Sequence, residues 1–325
     1  MARVTAWLLS FAVACGACTV ERRPDGEPGP DGPVRPEPTP DAHPTPTPHP
    51  TANGEGSPLS PEQEKRRLAA LAKLRAGDVA TGRAALRALA DEAGPSYALY
   101  HDCAVAAGMA EDWLDAEGWA DKALAIQPDA VEAQANRIEA MLALGDRTGA
   151  LDRGEALVER HPESAAAQVA LGQAYLALMR LADARKAYES ALDRQPDDAV
   201  AAIGVLAVAA YDLSAVEARE LGEKLLQPFP DDPYVLHLMA VTEERRQETK
   251  AARALYLRAI AAAEQRKDPA DRGPLAWSHY NLGQLLEAED GLDAARPHYQ
   301  AFLALAPPTG QLERENLMKK LGLAP

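Results

Sequence analysis

The sequence predicts an all-α protein built as a solenoid, in which antiparallel helix pairs stack one on the next. Three observations support this prediction. First, one series of prolines and one series of alanines each recur at intervals of 34 residues: Pro128, Pro162, Pro196 and Pro230, and Ala116, Ala150, Ala184, Ala218 and Ala252. Second, each of the first four alanines precedes one of the prolines by twelve residues, so the two series share one phase. Third, aromatic residues make up only 5% of the chain, and runs of strand-favouring residues are nearly absent.

The N-terminal segment has the features of an export signal. Arg3 is followed by an apolar stretch over residues 4–14, which has the length of a signal-peptide core and is too short to span a bilayer as a helix. The stretch runs into Phe-Ala-Val-Ala-Cys, which resembles the bacterial lipobox, where a small residue precedes the cysteine that is lipidated. We therefore predict a lipoprotein signal peptide and lipidation site over residues 1–18, with Cys15 as the lipidated residue. Cys18 is the alternative site, and an ordinary secretory signal without lipidation is a further alternative.

The resemblance to a lipobox also implies a location. A lipidated cysteine anchors a protein to a membrane through its acyl chains. Because no Asp follows Cys15, the resemblance implies sorting to the outer membrane, with the protein facing the periplasm or the cell surface. Residues 19–60 are rich in Pro, Gly, Asp, Thr and Glu, and such a composition cannot bury a core. We predict a disordered, proline-rich tether there.

Beyond this tether, residues 61–325 are predicted to form the solenoid. Its six repeat units are 97–130, 131–164, 165–198, 199–232, 233–266 and 276–309. Residues 63–96 are predicted to form a degenerate N-terminal repeat and residues 311–322 a C-terminal capping helix, because a stacked array exposes apolar faces at both ends. Nine extra residues, 267–275, lengthen the loop before the last unit and could carry a contact of their own.

The pattern within the units resembles the tetratricopeptide repeat. In the clearest copy, 165–198, the first helix carries a Leu-Gly pair and an aromatic residue, the second carries small residues and an aromatic, and a proline closes the unit. These residues are Leu171, Gly172, Tyr175, Ala184, Tyr188, Ala191 and Pro196. Two copies depart from the pattern, with Arg137-Ile138 at the Leu-Gly position and Glu264 at the closing proline. The resemblance implies a right-handed superhelix whose small residues permit close helix packing.

In the resembled family the first helices line a concave groove that binds other proteins. Carried over position by position, the resemblance implies a partner-binding groove in this chain. Its residues are His101, Met109, Glu132, Glu139, Gln173, Leu176, Ile203, Tyr211, Tyr234, His237, Glu244, Arg245, Trp277, Tyr280, Gln284 and Glu287. The aromatic members are concentrated in the last three units, where large, stiff side chains are expected to act as binding hot spots.

The sequence contains no arrangement typical of an enzyme or a metal site. It has no HExxH, no GxSxG, no phosphate-binding glycine loop and no paired CxxC site. We therefore predict no catalytic residues, no metal and no cofactor, and we interpret Cys103 as a small buried thiol. The net charge of −15 disfavours nucleic acid as a partner, because phosphate recognition requires a basic face.

These features favour a non-enzymatic adaptor of the bacterial cell envelope, tethered to the membrane and binding a segment of another protein in its groove. One alternative is a protein that binds or senses a small envelope ligand, such as a glycan fragment, between the aromatic C-terminal units. A hydrolase is a third hypothesis, and it would need a catalytic site assembled without any recognisable motif.

Overall fold

The computed structural model describes residues 58–211, 215–227, 230–266, 271–305 and 311–323, and all regular structure within those ranges is helical. The helices are α1 (Pro61–Arg75), α2 (Val79–Ala93), α3 (Tyr97–Met109), α4 (Trp113–Ile126), α5 (Val131–Leu144), α6 (Arg147–Arg160), α7 (Ala165–Ala177), α8 (Leu181–Arg194), α9 (Ala199–Tyr211), α10 (Ala215–Leu226), α11 (Pro233–Arg245), α12 (Thr249–Arg266), α13 (Arg272–Asp290), α14 (Leu292–Leu305) and α15 (Gln311–Leu321). No helix among the described residues is long and apolar enough to cross a membrane. Cys15 and Cys18, the predicted lipidation sites, lie outside the described residues, as does most of the predicted tether.

Consecutive helices form pairs that repeat with the 34-residue period. We call α3, α5, α7, α9, α11 and α13 the first helices of the six units, and α4, α6, α8, α10, α12 and α14 the second helices. Each first helix packs against the second helix of its own unit, and first helices of adjacent units also contact one another, as α5 and α7 do. The predicted fold class, an all-α solenoid of antiparallel helix pairs, is confirmed.

The apolar core is divided along the solenoid. One large cluster of buried side chains extends from Ile138 to Leu317 and connects the units from α5 onward. A second cluster covers residues 70–120 and joins α1 to α4, with Ala140 of α5 added to it. A small third cluster around Ala123 and Ala133 lies between them, at the contact of α4 with α5. The first unit and the degenerate repeat therefore share a core that is largely separate from that of the later units.

A residue with left-handed backbone recurs at the turn between the two helices of a pair. Gly77, Glu111, Gly145, Met179 and Gln247 all have φ between 56° and 93°. They follow the 34-residue period, apart from one position of the series that lies outside the described residues. Glycine adopts this conformation without strain, whereas any other residue bears a cost of about 1 kcal/mol or more. The turn geometry is thus set by the repeat, and three of these five turns are held against a local conformational cost.

Aspartates at the helix starts cap the first turns. Side-chain oxygens of Asp78, Asp112 and Asp146 accept hydrogen bonds from the backbone N–H three residues further on, at 3.0 to 3.3 Å. Asp232 caps α11 through the N–H groups of two following residues, and Pro233 takes the first helical position, where its missing N–H is not needed. Each such cap stabilises its helix by about 1 kcal/mol.

Glycines let the aromatic rings of the second helices lie directly against the first helices. A Cβ on Gly172 would lie 2.8 Å from the Tyr188 ring, and a Cβ on Gly204, in the next unit, would lie 2.5 Å from the same ring. Gly283 is equally close to Tyr299, at 2.6 Å. No side chain fits in these gaps, so packing requires glycine here, as the resemblance to the repeat family implies.

Additional helices cover both ends of the solenoid. α1 and α2 occupy the degenerate repeat, where Leu86 and Leu89 are buried in the second cluster. α15 packs on the last unit through Leu317, and Lys320 Nζ lies 2.7 Å from Glu287 Oε2. The apolar faces of the terminal units are therefore not left open to solvent at these positions.

Candidate functional site

The predicted groove residues fall into two sets. Eight are at most 8% exposed, namely Gln173, Leu176, Ile203, Tyr211, Tyr234, His237, Trp277 and Tyr280. The other eight are partly or fully exposed, namely His101, Met109, Glu132, Glu139, Glu244, Arg245, Gln284 and Glu287. All of the predicted residues of the first two units belong to the exposed set, and most of those in later units are buried.

The aromatic residues of the C-terminal units are core residues, which corrects the expectation of an exposed hot spot. The ring centroid of Trp277 lies 5.1 Å from that of Phe302, on the second helix of the same unit, and 5.4 Å from that of Tyr280. His237 Nδ1 lies 2.9 Å from Ser278 Oγ, on the first helix of the next unit. These side chains pack against their own second helix or the neighbouring unit. In this structure the buried set is part of the solenoid core and cannot contact a partner directly.

The sequence held a signal for this burial. The side chains of α9, AVAAIGVLAVAAY, are apolar around the whole circumference of the helix, and a helix of this kind is buried on all sides. α11 is also buried over most of its length, from Pro233 to Glu243. The family pattern assigns groove positions by their number within the unit, so it does not register that α9 lacks a polar face.

Four side chains of α3 and α5 in the first two units form what we call the open groove segment: Glu132, which is exposed, and Tyr97, His101 and Glu139, which are half-buried. Tyr97 and His101 stack with their ring centroids 5.9 Å apart. Burial and the nearby carboxylates of Glu132 and Asp102 raise the pKa of the Tyr97 phenol, so Glu132 of α5 lies close to the aromatic pair of α3. The sequence-based prediction missed Tyr97, which stands at the first position of its unit.

Glu139 is a carboxyl group without a partner. Burial raises its pKa to about 8, and no hydrogen bond or ion pair from the described residues reaches it. Glu132 has no ion pair among the described residues either, and the two stand seven residues apart on α5, about 10 Å along the helix axis. In the next unit Gln173 occupies the position of Glu139, and its buried Nε2 has no hydrogen-bond partner among the described residues. The open groove segment therefore carries two carboxyl groups that no cation among the described residues reaches.

Glu244 and Glu287 have a structural role that the sequence-based prediction did not foresee. The Tyr256 hydroxyl donates to Glu244 Oε2 at 2.6 Å, and the Tyr299 hydroxyl donates to Glu287 Oε2 at 2.5 Å. In both units the tyrosine follows the glutamate by twelve residues. Each pair thus ties the second helix of its unit to the first.

One unit keeps the tyrosine but lacks the glutamate. In 165–198 the glutamate position is occupied by Leu176, and the buried Tyr188 hydroxyl has no hydrogen-bond partner among the described residues. The signal that would have found these pairs is present in the sequence, as a Glu and a Tyr at a spacing of twelve residues.

Arg245 and Gln284 also have partners within the protein. Arg245 Nη1 donates to the carbonyl oxygens of Ala210 and Tyr211 at 2.8 and 3.0 Å, and so satisfies backbone acceptors at the C-terminal end of α9. Gln284 Nε2 donates to the Tyr280 hydroxyl at 3.2 Å. The exposed members of the C-terminal units are thus committed to internal contacts, in contrast to Glu132 and Glu139.

Among the groups capable of chemistry, one pair was not anticipated. His279 Nδ1 and His298 Nδ1 lie 2.9 Å apart; burial, then the neighbouring His298, lowers the pKa of His279 to about 4. Two nitrogens are fewer than the three or four protein ligands of a zinc site, and no group of three or more potential metal ligands occurs within the described ranges. Cys103 is a free, buried thiol whose pKa burial raises to about 12, which agrees with its interpretation as a core residue.

Comparisons with known proteins support the repeat assignment. Residues 136–199 and 180–233 match the model of a family described as tetratricopeptide repeat. No curated protein sequence matches the chain. These two overlapping stretches include the unit with the clearest pattern, 165–198, and parts of its neighbours.

Solved structures show the same fold. The chain is similar to the crystal structure of a tetratricopeptide repeat protein from Parabacteroides merdae ATCC 43184, with 17% identity, a TM-score of 0.59, and coverage of 80% of this chain and 98% of that one. It is also similar to a monomeric mutant of IFIT1 with m7Gppp-AAAA, with 14% identity, a TM-score of 0.57, and coverage of 78% of this chain and 62% of that one. At these identities the likeness shows the fold alone. Proteins built from this repeat are in general non-catalytic scaffolds for protein interaction.

Proposed function

We propose that the protein is a non-enzymatic adaptor of the bacterial cell envelope that binds a segment of a partner protein along α3 and α5. The observation that carries this proposal is the open groove segment. Tyr97 and His101 offer a stacked aromatic surface, and Glu132 and Glu139 add two carboxyl groups that have no counter-ion in the part of the chain that the structure describes. A partner segment that presents apolar or aromatic side chains together with lysine or arginine would match both features.

The electrostatics support a basic partner. Glu139 is held in a poorly solvated position, which raises the pKa of its carboxyl group, and an incoming cation would stabilise the charged form. The net charge of −15 would also steer a basic segment toward the protein and accelerate association. The same charge makes nucleic acid an unfavourable partner. The small-ligand alternative depended on exposed aromatic residues in the C-terminal units, and their burial removes its basis.

Photo-crosslinking in cells tests this proposal. A photoreactive residue would replace His101 or Glu132 in turn, with Lys186, an exposed residue on the second helix α8, as the matched control position. We expect a discrete protein adduct from both groove positions and none from the control. The yield of the adduct at position 101 should fall when Glu132→Gln and Glu139→Gln are combined in the same chain. Identical adducts at all three positions, or none at any, would contradict binding on this face.

We also propose that a lipid on Cys15 tethers the protein to the outer membrane. The support is the sequence around this cysteine and the proline-rich composition of residues 19–60. In the Cys15→Ser variant we expect loss of the acylated N-terminal peptide by mass spectrometry and release of the protein from the membrane fraction. The matched Cys18→Ser variant should remain acylated. Loss of acylation only in the Cys18→Ser variant would assign the lipid to that residue, and membrane release in neither variant would contradict the tether.

A further inference from the structure

An arginine of the last unit contacts a turn of the first. Arg272 Nη1 lies 3.4 Å from Glu111 Oε2, although 161 positions separate the two residues in the sequence. The other ion pairs found among the described residues connect positions within one repeat or between neighbouring repeats. This pair therefore joins two parts of the solenoid that are otherwise far apart along the stack.

Arg272, in the described part of the insertion, supplies this contact. α13 has 19 residues, whereas the first helices α7, α9 and α11 have 13 each, and its additional first turn lies within the insertion. Arg272 is the first residue of that turn. Its Nε and Nη2 donate to the carbonyl oxygen of Leu305 at 2.8 and 2.5 Å, at the C-terminal end of α14. The guanidinium group is thus oriented by its own unit before it meets Glu111.

Glu111 is held in place from the other side. It is the left-handed residue of the turn between α3 and α4, with φ of 57°, so the backbone fixes the direction of its side chain. Burial raises the pKa of the Glu111 carboxyl, and the charge of Arg272 opposes that rise. An ion pair in such a partly enclosed place is screened less by salt than an exposed one.

An open cavity of about 570 Å³ lies beside this ion pair. Its wall combines the first turns of α2, the end of α3 and Arg272, with the residues Val79, Ala80, Arg83, Ala84, Arg87, Met109, Ala110 and Glu111. Met109, predicted to lie in the partner-binding groove, is part of this wall. The two regions of the solenoid meet here over a partly exposed ion pair next to open space, and ion pairs of this kind contribute little to stability.

We propose that the pair Arg272–Glu111 is a latch, which holds the first and last units of the solenoid together, and that its opening widens access to the open groove segment, which is already accessible in the closed form. The closed and open forms are two states of one chain, and the latch biases the equilibrium toward the closed form. The insertion is the part of the sequence that carries this function. Closure itself does not depend on the proposed partner; the gating role rests on the proposed function.

Intramolecular photo-crosslinking tests the closure in the full chain. A photoreactive residue in place of Ala110, which is exposed and lines the cavity, should form an adduct with the peptide that contains residues 271–275. We expect Arg272→Glu to lower the yield of this adduct by about threefold or more, as for loss of a favourable charge pair replaced by repulsion. The exchanged pair Glu111→Arg with Arg272→Glu should restore it. The matched control, Arg258→Glu, breaks an ion pair between adjacent units and should leave the yield unchanged.

Two outcomes would overturn the latch. One is an undiminished adduct in the Arg272→Glu chain, and the other is no adduct in the chain with native Arg272 and Glu111. Gating has a separate readout, because the partner adduct from position 101 should accumulate faster in the Arg272→Glu chain, and an unchanged rate would contradict it. If no partner adduct forms at all, the proposed function fails, while the adduct from position 110 still decides whether the solenoid is closed. Helix content by circular dichroism should be the same in every variant.

Discussion

The first two units and the last three are built on the same repeat but present their first helices differently. α3 and α5 expose Tyr97, His101, Glu132 and Glu139, and the two glutamates have no internal cation among the described residues. In α9, α11 and the start of α13 most of the side chains at the matching positions are buried among apolar neighbours. The comparison teaches that the position of a residue within the repeat does not by itself decide whether it faces a partner. The polarity of the whole helix decides it.

The largest expected effect tests the burial of the C-terminal aromatics. Trp277→Ala should lower the free energy of unfolding by about 3–5 kcal/mol, because it removes a fully buried ring. His101→Ala, at a partly exposed position of the first unit, should change it by no more than about 0.5 kcal/mol. Urea unfolding followed by circular dichroism measures both. Similar values for the two variants would remove the distinction between the regions.

The tyrosine–glutamate hydrogen bonds should also make the units differ in how much a Tyr→Phe change lowers the free energy of unfolding. Tyr299→Phe removes a hydrogen bond to the Glu287 carboxylate and should cost about 2 kcal/mol of unfolding free energy. Tyr188→Phe removes a buried hydroxyl that has no partner among the described residues, so it should be neutral or stabilising. The two variants, compared by urea unfolding, form a matched pair because both remove one hydroxyl from a buried ring. A large cost for Tyr188→Phe would show that its hydroxyl is satisfied in solution.

Acid should weaken the C-terminal units through their buried histidines. Burial lowers the pKa of His237 to about 3 and that of His279 to about 4, below the value of about 6.5 for an unfolded histidine. The unfolded chain therefore binds more protons below pH 6.5. The stabilisation from the neutral histidines is fully present above that pH and decreases as pH falls, by about 1.4 kcal/mol per pH unit for each.

Unfolding free energies between pH 7 and pH 5 measure this dependence. The His279→Gln variant should have a shallower slope, since one of the histidines with a lowered pKa no longer titrates. An unchanged slope would mean that other groups, such as carboxylates, account for the loss.

The smallest expected effect concerns the turns, which both regions share. Met179→Gly and Gln247→Gly should each raise the free energy of unfolding by up to about 1 kcal/mol, because glycine removes the cost of a left-handed backbone. Gly145→Ala should lower it by a similar amount. Thermal and urea unfolding measure the changes. A loss of stability in the two glycine variants would indicate that the native side chains contribute more through packing than their backbones cost.

Much of the fold followed from features that are local or periodic in the sequence. The interval of 34 residues predicted the helix pairs, and Asp232-Pro233 predicted the start of α11. The left-handed turns could not be predicted in the same way, because Met179 and Gln247 give no sign of a positive φ. Their conformation is imposed by the stacking of the helices that they connect.

The candidate site was less predictable, for a physical reason. Whether His237 points to solvent or to Ser278 depends on how two units pack, which position within one unit does not specify. The contact of Arg272 with Glu111 depends on the curvature summed over all the units between them. The burial of α9 was open to prediction, since its composition has no polar face, and so were the pairs of Glu and Tyr at a spacing of twelve residues.

The Tyr188 ring, which packs against two units, affects how the chain unfolds. Because this ring is wedged between Gly172 of its own unit and Gly204 of the next, those two units cannot separate without losing a core side chain, and they should open as one cooperative block. The apolar core is interrupted at the contact of α4 with α5, where the large cluster ends and a small one intervenes. α3 and α5 belong to the two units that meet at this contact, so a segment bound to both helices would stabilise it. Occupancy would then be visible as slower amide hydrogen exchange in α4 and α5, far more than in α9 or α11.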